Sequence, residues 1–223
     1  MLLTQMVAVR YKSKPKNAFQ MMDGFYKPAS SISHLILAGA SGFALKKLSS
    51  EFPLALTSFS LLISHGILGT IKFTSIEQNN VIRKLYDQST LLLVILPISS
   101  LNAELFRLAG YSNGFVIGHL FSSLIPLLTQ FFLGDFNRLV IDGILAGNLI
   151  SMMYYSVMHD PGTWSGGLAM MTGLNRFVFE KVASRYDVPL SDINSVGQIF
   201  FTMFALGALN DTKTFAFFTQ IFM

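Results

Sequence analysis

The side chains in this sequence best suited to moving protons or holding a metal are four histidines, His34, His65, His119 and His159. Their spacing argues against a metal. No two lie four residues apart on one helix, no His-Glu-x-x-His motif occurs, and without Cys there is no thiolate site. Neither a metal nor a cofactor is predicted. His159 precedes Asp160 in "MHDPGTWSGG", the best catalytic pair on offer, yet the Pro-Gly that follows reads equally as a turn with Asp160 capping the next helix. No nucleophile motif accompanies the pair, so no catalytic residue is assigned and an enzyme is the least favoured of three readings.

Other polar residues recur at helical intervals within apolar runs. Pro97, Ser100, Glu104 and Arg107 share one face, as do His119, Ser122, Pro126 and Gln130. Ser58, His65 and Gly69 form a third stripe, and Gly143, Gly147 and Ser151 a fourth, beside Asp142 and Asn148. In a helix surrounded by lipid such groups turn toward the bundle or a wet cavity. His65, Ser100, His119, Ser122, Gln130 and Asn148 are therefore the candidates for lining a pore or substrate site. The competing reading for each stripe is packing, because small residues let helices approach and polar ones bond across interfaces. Glu104 and Arg107, at the end of an apolar run, predict an ion pair at the membrane boundary, with Arg107 reaching the headgroups. Arg176 and Glu180, one turn apart, predict a second.

The elements that must position these residues are membrane-spanning helices. Charged residues make up 13% of the 223-residue chain and hydrophobic residues 52%, about half the charge of an ordinary soluble domain. Apolar blocks approach the ~20 residues that cross a bilayer core. Seven helices are predicted, over roughly 29–46, 53–72, 88–107, 114–134, 139–158, 163–183 and 193–210. Stretches such as "KKLSSEFP", "GYSNG" and "RYDVPLSD" separate them with turn and cap residues. The fold class is all-α, a polytopic transmembrane bundle. Residues 1–28 read as a basic tail, 29–210 as one membrane domain and 211–223 as a short apolar tail.

Seven spans with the N-terminus cytoplasmic put twelve of the sixteen Lys and Arg on the cytoplasmic side, as the positive-inside rule requires. The basic tail carries Arg10, Lys12, Lys14 and Lys16 with no acid before Asp23, a bias shared with mitochondrial presequences, so the host membrane is left open. Three short matches link helix n to helix n + 3: "ISHL" with "IGHL", "HGILG" with "DGILA", and "YDQST" with "HDPGT". Together they suggest a three-plus-three inverted repeat and a seventh helix, a construction common in transporters. The functional expectation is a small-solute or ion transporter or channel-like protein with a polar site between helices. The alternative is a non-catalytic accessory, scaffold or assembly subunit. Expected partners are the lipid bilayer and a second copy or other membrane proteins, with no nucleic acid.

Overall fold

The computed structural model describes residues 28–48, 50–75, 80–133, 138–160 and 163–222, with backbone alone for residues 130, 131, 133 and 212–222. Among these residues every element is helical. The helices are α1 (Pro28–Lys47), α2 (Pro53–Thr74), α3 (Asn80–Leu108), α4 (Asn113–Leu133), α5 (Arg138–His159), α6 and α7 (Leu190–Phe222). Helix α6 comprises Trp164–Gly173, a π-helical turn Leu174–Val178 and Phe179–Tyr186. Five helices are long and apolar enough to cross a membrane: α1, α2, α3, α5 and the Leu190–Asp211 part of α7. In α4 the described apolar stretch is shorter, Asn113–Thr129.

Two helices outrun their predicted limits. Helix α3 begins at Asn80, not 88, because Arg83, Lys84 and Asp87 extend a helix into water as readily as they would end one. Its 29 residues reach roughly 43 Å, well beyond a ~30 Å hydrocarbon core. Helix α7 runs on to Phe222, past its predicted end at 210. Neighbours in sequence run antiparallel. Thus Ser31 near the start of α1 bonds Thr74 at the end of α2 (2.7 Å), and Lys72 pairs with Asp87 near the start of α3 (3.1 Å). One end of the bundle collects Lys72, Arg83, Lys84, Arg138, Arg176, Lys181 and Arg185, whereas the other has Lys46, Lys47, Arg107 and Lys213 among the described residues. These are the basic end and the far end below.

Helix α3 is the central post. Every residue from Pro97 to Phe106 is buried; Ser99 Oγ and Asn102 Oδ1 have no hydrogen-bond partner, whereas Glu104 and Asn102 Nδ2 are answered by neighbouring helices. The Glu104 carboxylate, wholly enclosed, accepts the backbone N–H groups of Leu54 (2.7 Å) and Ala55 (3.2 Å). It thereby caps α2, whose Pro53 start has no side-chain cap of its own. Arg107 closes the unit, donating from Nε to Glu104 Oε1 (2.8 Å) and from Nη2 to the Glu51 carbonyl (2.7 Å). The predicted Glu104–Arg107 pair is present, but only Arg107 is exposed and the carboxylate is internal. Ser58 of α2 donates to the Pro97 carbonyl (3.3 Å), meeting α3 where the proline interrupts its ladder.

Glycines set how closely helices approach. A Cβ on Gly69 would enter the His34 ring, and one on Gly66 would stand 2.8 Å from the His34 carbonyl, so α1 lies directly on α2. Helices α6 and α7 interlock reciprocally. Gly167 receives the Phe204 ring, and Gly207 receives Trp164 at 2.5 Å from the position of a Cβ. The row expected to mediate packing does not: Gly143 and Gly147 of α5 have no atom within 4 Å of a Cβ. The two triplets also pack differently. Helix α1 lies along α2, whereas α4 meets α5 at few points, so the packing displays no three-plus-three repeat.

Replacing Glu104 by Ala should cost about 2–4 kcal/mol, since two backbone donors and a guanidinium lose a buried partner. Glu104→Gln should cost about half as much because its amide oxygen can still accept from Leu54 and Ala55. Thermal unfolding of both variants in detergent checks the order; an unchanged midpoint for Glu104→Ala would contradict the capping role.

Candidate functional site

A cavity of about 390 Å³ lies among α2, α3, α5, α6 and α7. Its wall starts at the basic end, with Asp87, Glu180 and Ser191, and deepens to Ile98, Leu145 and Phe201. The ten residues from Ser191 to Phe201 correspond to roughly 15 Å of helix, half a bilayer core. Ile98, Leu145 and Phe201 are almost completely buried and form its floor. Beyond them the far half is packed with Leu101, Phe106, Met152, Tyr155, Leu168 and Ala205.

The π turn shapes one wall. Its wide turn displaces the following residues from α-helical register, a distortion often found at functional sites. It presents Asn175 to the cavity, and Gly197 of α7 makes room for it: a Cβ there would overlap Asn175 Oδ1 and stand 2.7 Å from Phe179. Asn175 Oδ1 and Nδ2, Asn194 Oδ1 and Gln198 Oε1 are buried atoms without a hydrogen-bond partner. Asn194 and Gln198 stand one turn apart on α7, on either side in sequence of the Gly197 against which Asn175 packs, and all three amides line the cavity. The π turn also explains why the predicted Arg176–Glu180 pair does not form. Arg176 Nε bonds Asp142 Oδ1 (2.6 Å), and Glu180 pairs with Arg138 (2.7 Å), so four charges tie α5 to α6.

On the opposite wall an imidazole cluster joins α1, α2, α3 and α7. Ser89 donates to the Tyr86 carbonyl (2.8 Å), so His65 must donate from Nδ1 to Ser89 (2.8 Å). That leaves His65 Nε2 bare as an acceptor. His34 donates from Nδ1 to the Ser30 carbonyl (2.7 Å) and accepts the Tyr86 hydroxyl at Nε2 (3.0 Å). The Tyr86 ring stacks on His65 with centroids 4.7 Å apart, and Ser195 of α7 reaches His34 at 3.3 Å. His65, Tyr86 and Ser195 all face the cavity.

The six sequence candidates divide. His65 lines the cavity. His119 and Asn148 form a separate knot with Asn102 of α3. Asn102 donates to the Asn148 carbonyl (2.8 Å) and to its Oδ1 (2.9 Å), which also accepts His119 Nδ1–H (3.0 Å). Ser100 is buried in α3 away from the cavity wall, and Ser122 bonds its own helix at the His119 carbonyl (2.9 Å). The Gln130 side chain lies outside the described residues. Asp160 does cap α6, accepting Ser165 N–H and Oγ–H, but from ahead of the N-cap, which is Thr163. Near the far end Tyr111 contacts His159 (3.1 Å); its hydrogen bond to Tyr154 raises the Tyr111 phenol above its ordinary pKa. Among the described residues no three His, Asp or Glu converge as metal ligands.

The residues that sequence reasoning missed are Asn175, Asn194, Ser195 and Gln198. A signal existed: Ser191, Asn194 or Ser195, Gln198 and Thr202 recur every three or four residues at the start of the seventh helix. A family described as a domain of unknown function (DUF4791) matches residues 49–206, more than half of the chain. The chain belongs to that family. The match covers every residue lining the cavity but ends within α7, and it excludes α1. No curated protein and no solved structure shows a match.

Gly197→Ala should push Asn175 and Phe179 from their places and cost about 1–3 kcal/mol by overpacking. Gly143→Ala, facing open space, should leave the unfolding midpoint unchanged or slightly raised through helix propensity. Thermal unfolding of the two variants side by side tests this; equal effects would contradict the assigned approach of α6 and α7.

Proposed function

We propose that this protein is a small-solute carrier of the membrane in which it resides, with the basic end cytoplasmic and the cavity as its solute site. One observation carries this reading: the cavity extends from one end of the bundle to about half its depth and stops at a packed floor. An open channel needs a continuous wet path. A scaffold needs no cavity, and unpartnered amides within one would only cost it stability. A half-depth cavity lined by polar groups is what a carrier presents when open to one side. The orientation is supported by the positive-inside rule, since the cavity's end of the bundle collects the Lys and Arg residues.

The π turn and Gly197 suit such a cycle. Carriers place their sites beside interrupted helices, where a wider turn can rearrange without losing the whole hydrogen-bond ladder. Helices α6 and α7 are interlocked through the Trp164–Gly207 and Phe204–Gly167 contacts and move as one unit, with α6 tied to α5 by ion pairs at the basic end and α7 lying along α1.

The chain contains no Cys, so single thiols introduced at Thr172 and Asn194 can be probed on each side of the membrane with an impermeant reagent. Fast labelling from the basic side and slower, measurable labelling from the far side is the expected result. Equally fast labelling from both sides would indicate a channel. Protection from both would overturn the carrier and favour the accessory-subunit reading.

A further inference from the structure

Resting on that carrier reading, the chemistry of the wall says which solutes fit. Three charged residues line the cavity, and each is already paired: Asp87 with Lys72 (3.1 Å), Arg176 with Asp142 (2.6 Å) and Glu180 with Arg138 (2.7 Å). An ion descending past them would leave its hydration without meeting an unpaired opposite charge. The deeper wall is neutral and rich in acceptors. Thr90, Thr172 and Ser195 spend their hydroxyl protons on the carbonyls of Tyr86, Leu168 and Ser191 (2.9, 2.9 and 2.8 Å), leaving only lone pairs for a ligand. His65 Nε2 is bare for the reason given above, and Asn194 Oδ1 and Gln198 Oε1 are unpartnered. Asn175 Nδ2 and Arg176 Nη2 are donors without a hydrogen-bond partner in the same wall, the second still ion-paired with Asp142, and the Asn194 and Gln198 amides add N–H donors of their own.

Such a wall is complemented by a molecule whose hydroxyls both donate and accept hydrogen bonds and which carries no charge. A cavity of 390 Å³ is at the small end of the roughly 300–1,000 Å³ typical of ligand sites. It is far larger than a monovalent cation coordinated by the same oxygens would need. The Tyr86 and Phe201 rings in the lining supply flat apolar surface for the C–H face of such a molecule. We propose that the transported solute is an uncharged polyhydroxylated compound, a polyol or sugar no larger than a hexose, held by Asn175, Asn194, Gln198 and the bare Nε2 of His65.

The test is flux into proteoliposomes of radiolabelled glycerol, myo-inositol and D-glucose, beside rubidium and chloride ions. At least one of the three polyhydroxylated probes should enter at least about tenfold faster than into protein-free vesicles, and the ions no faster. His65→Gln, whose side-chain oxygen can still accept, should keep most of that rate. His65→Leu and Gln198→Leu should lower it about tenfold while the unfolding midpoint stays near the parent's. Entry of rubidium or chloride without the polyhydroxylated probes would overturn the solute class and leave the carrier reading standing. If none of the five enters, the inference falls, and thiol labelling of the cavity decides separately whether a transport path exists. Equal rates for His65→Gln and His65→Leu would remove His65 from the site.

Discussion

The far half of α3 is enclosed on every side, and that enclosure constrains the rest of the bundle. Between Pro97 and Phe106 it carries a carboxylate, an amide, two hydroxyls and a proline-broken ladder. A buried polar group without a partner costs roughly 1–3 kcal/mol, and a buried charge more. Glu104 therefore fixes where α2 begins, because its first N–H groups must reach that carboxylate. Asn102 fixes the height of α5, because its Nδ2 must reach both oxygens of Asn148. His119 brings α4 to the same knot. Registers that would slide freely on Leu and Phe alone are pinned by three polar side chains.

With that half closed, the bundle divides along its length. Toward the far end the helices meet through aromatic and aliphatic contacts around Phe106 and through the interlocked rings and glycines of α6 and α7. Toward the basic end ion pairs hold the rim, the imidazole cluster joins α1, α2, α3 and α7 on one side, and the cavity lies between that cluster and the π turn of α6. Polar groups that would be expensive in a dry core are affordable in a cavity that water or solute enters. The division of wet from dry is thus a consequence of where the polar residues sit on each helix, and it gives the carrier reading its polarity.

Helix number and most boundaries were legible in the sequence because lipid-facing helices are selected for apolar length, a signal that needs no tertiary information. The boundaries that moved, at Asn80 and beyond residue 210, lie where helix continues outside an apolar run, and hydropathy does not register that. The cavity was less legible. His65 stood out as a lone imidazole in an apolar run, but Asn194 and Gln198 lie near the polar start of a helix and Asn175 directly before Arg176, where polar side chains are ordinary. Their meeting depends on a π turn, which has no sequence signature, and on Gly197, one glycine among seventeen. Gly143 and Gly147 show the converse: a row that matches the packing motif yet touches nothing. The Arg176–Glu180 pair failed for the same cause, since four-residue spacing places side chains together only in an uninterrupted α-helix.

Spin labels placed singly along α7 would show most directly whether water enters half the bundle and stops. Collision with a water-soluble paramagnetic complex should be high at Asn194 and Gln198 and fall to background at Ala205 and Ala208. Dissolved oxygen should instead find Val196, Phe200 and Met203, whose side chains are exposed on the helix's outer face. Labels at Asn194 and Gln198 as inaccessible to the complex as the label at Ala205 would contradict the cavity, and with it the carrier.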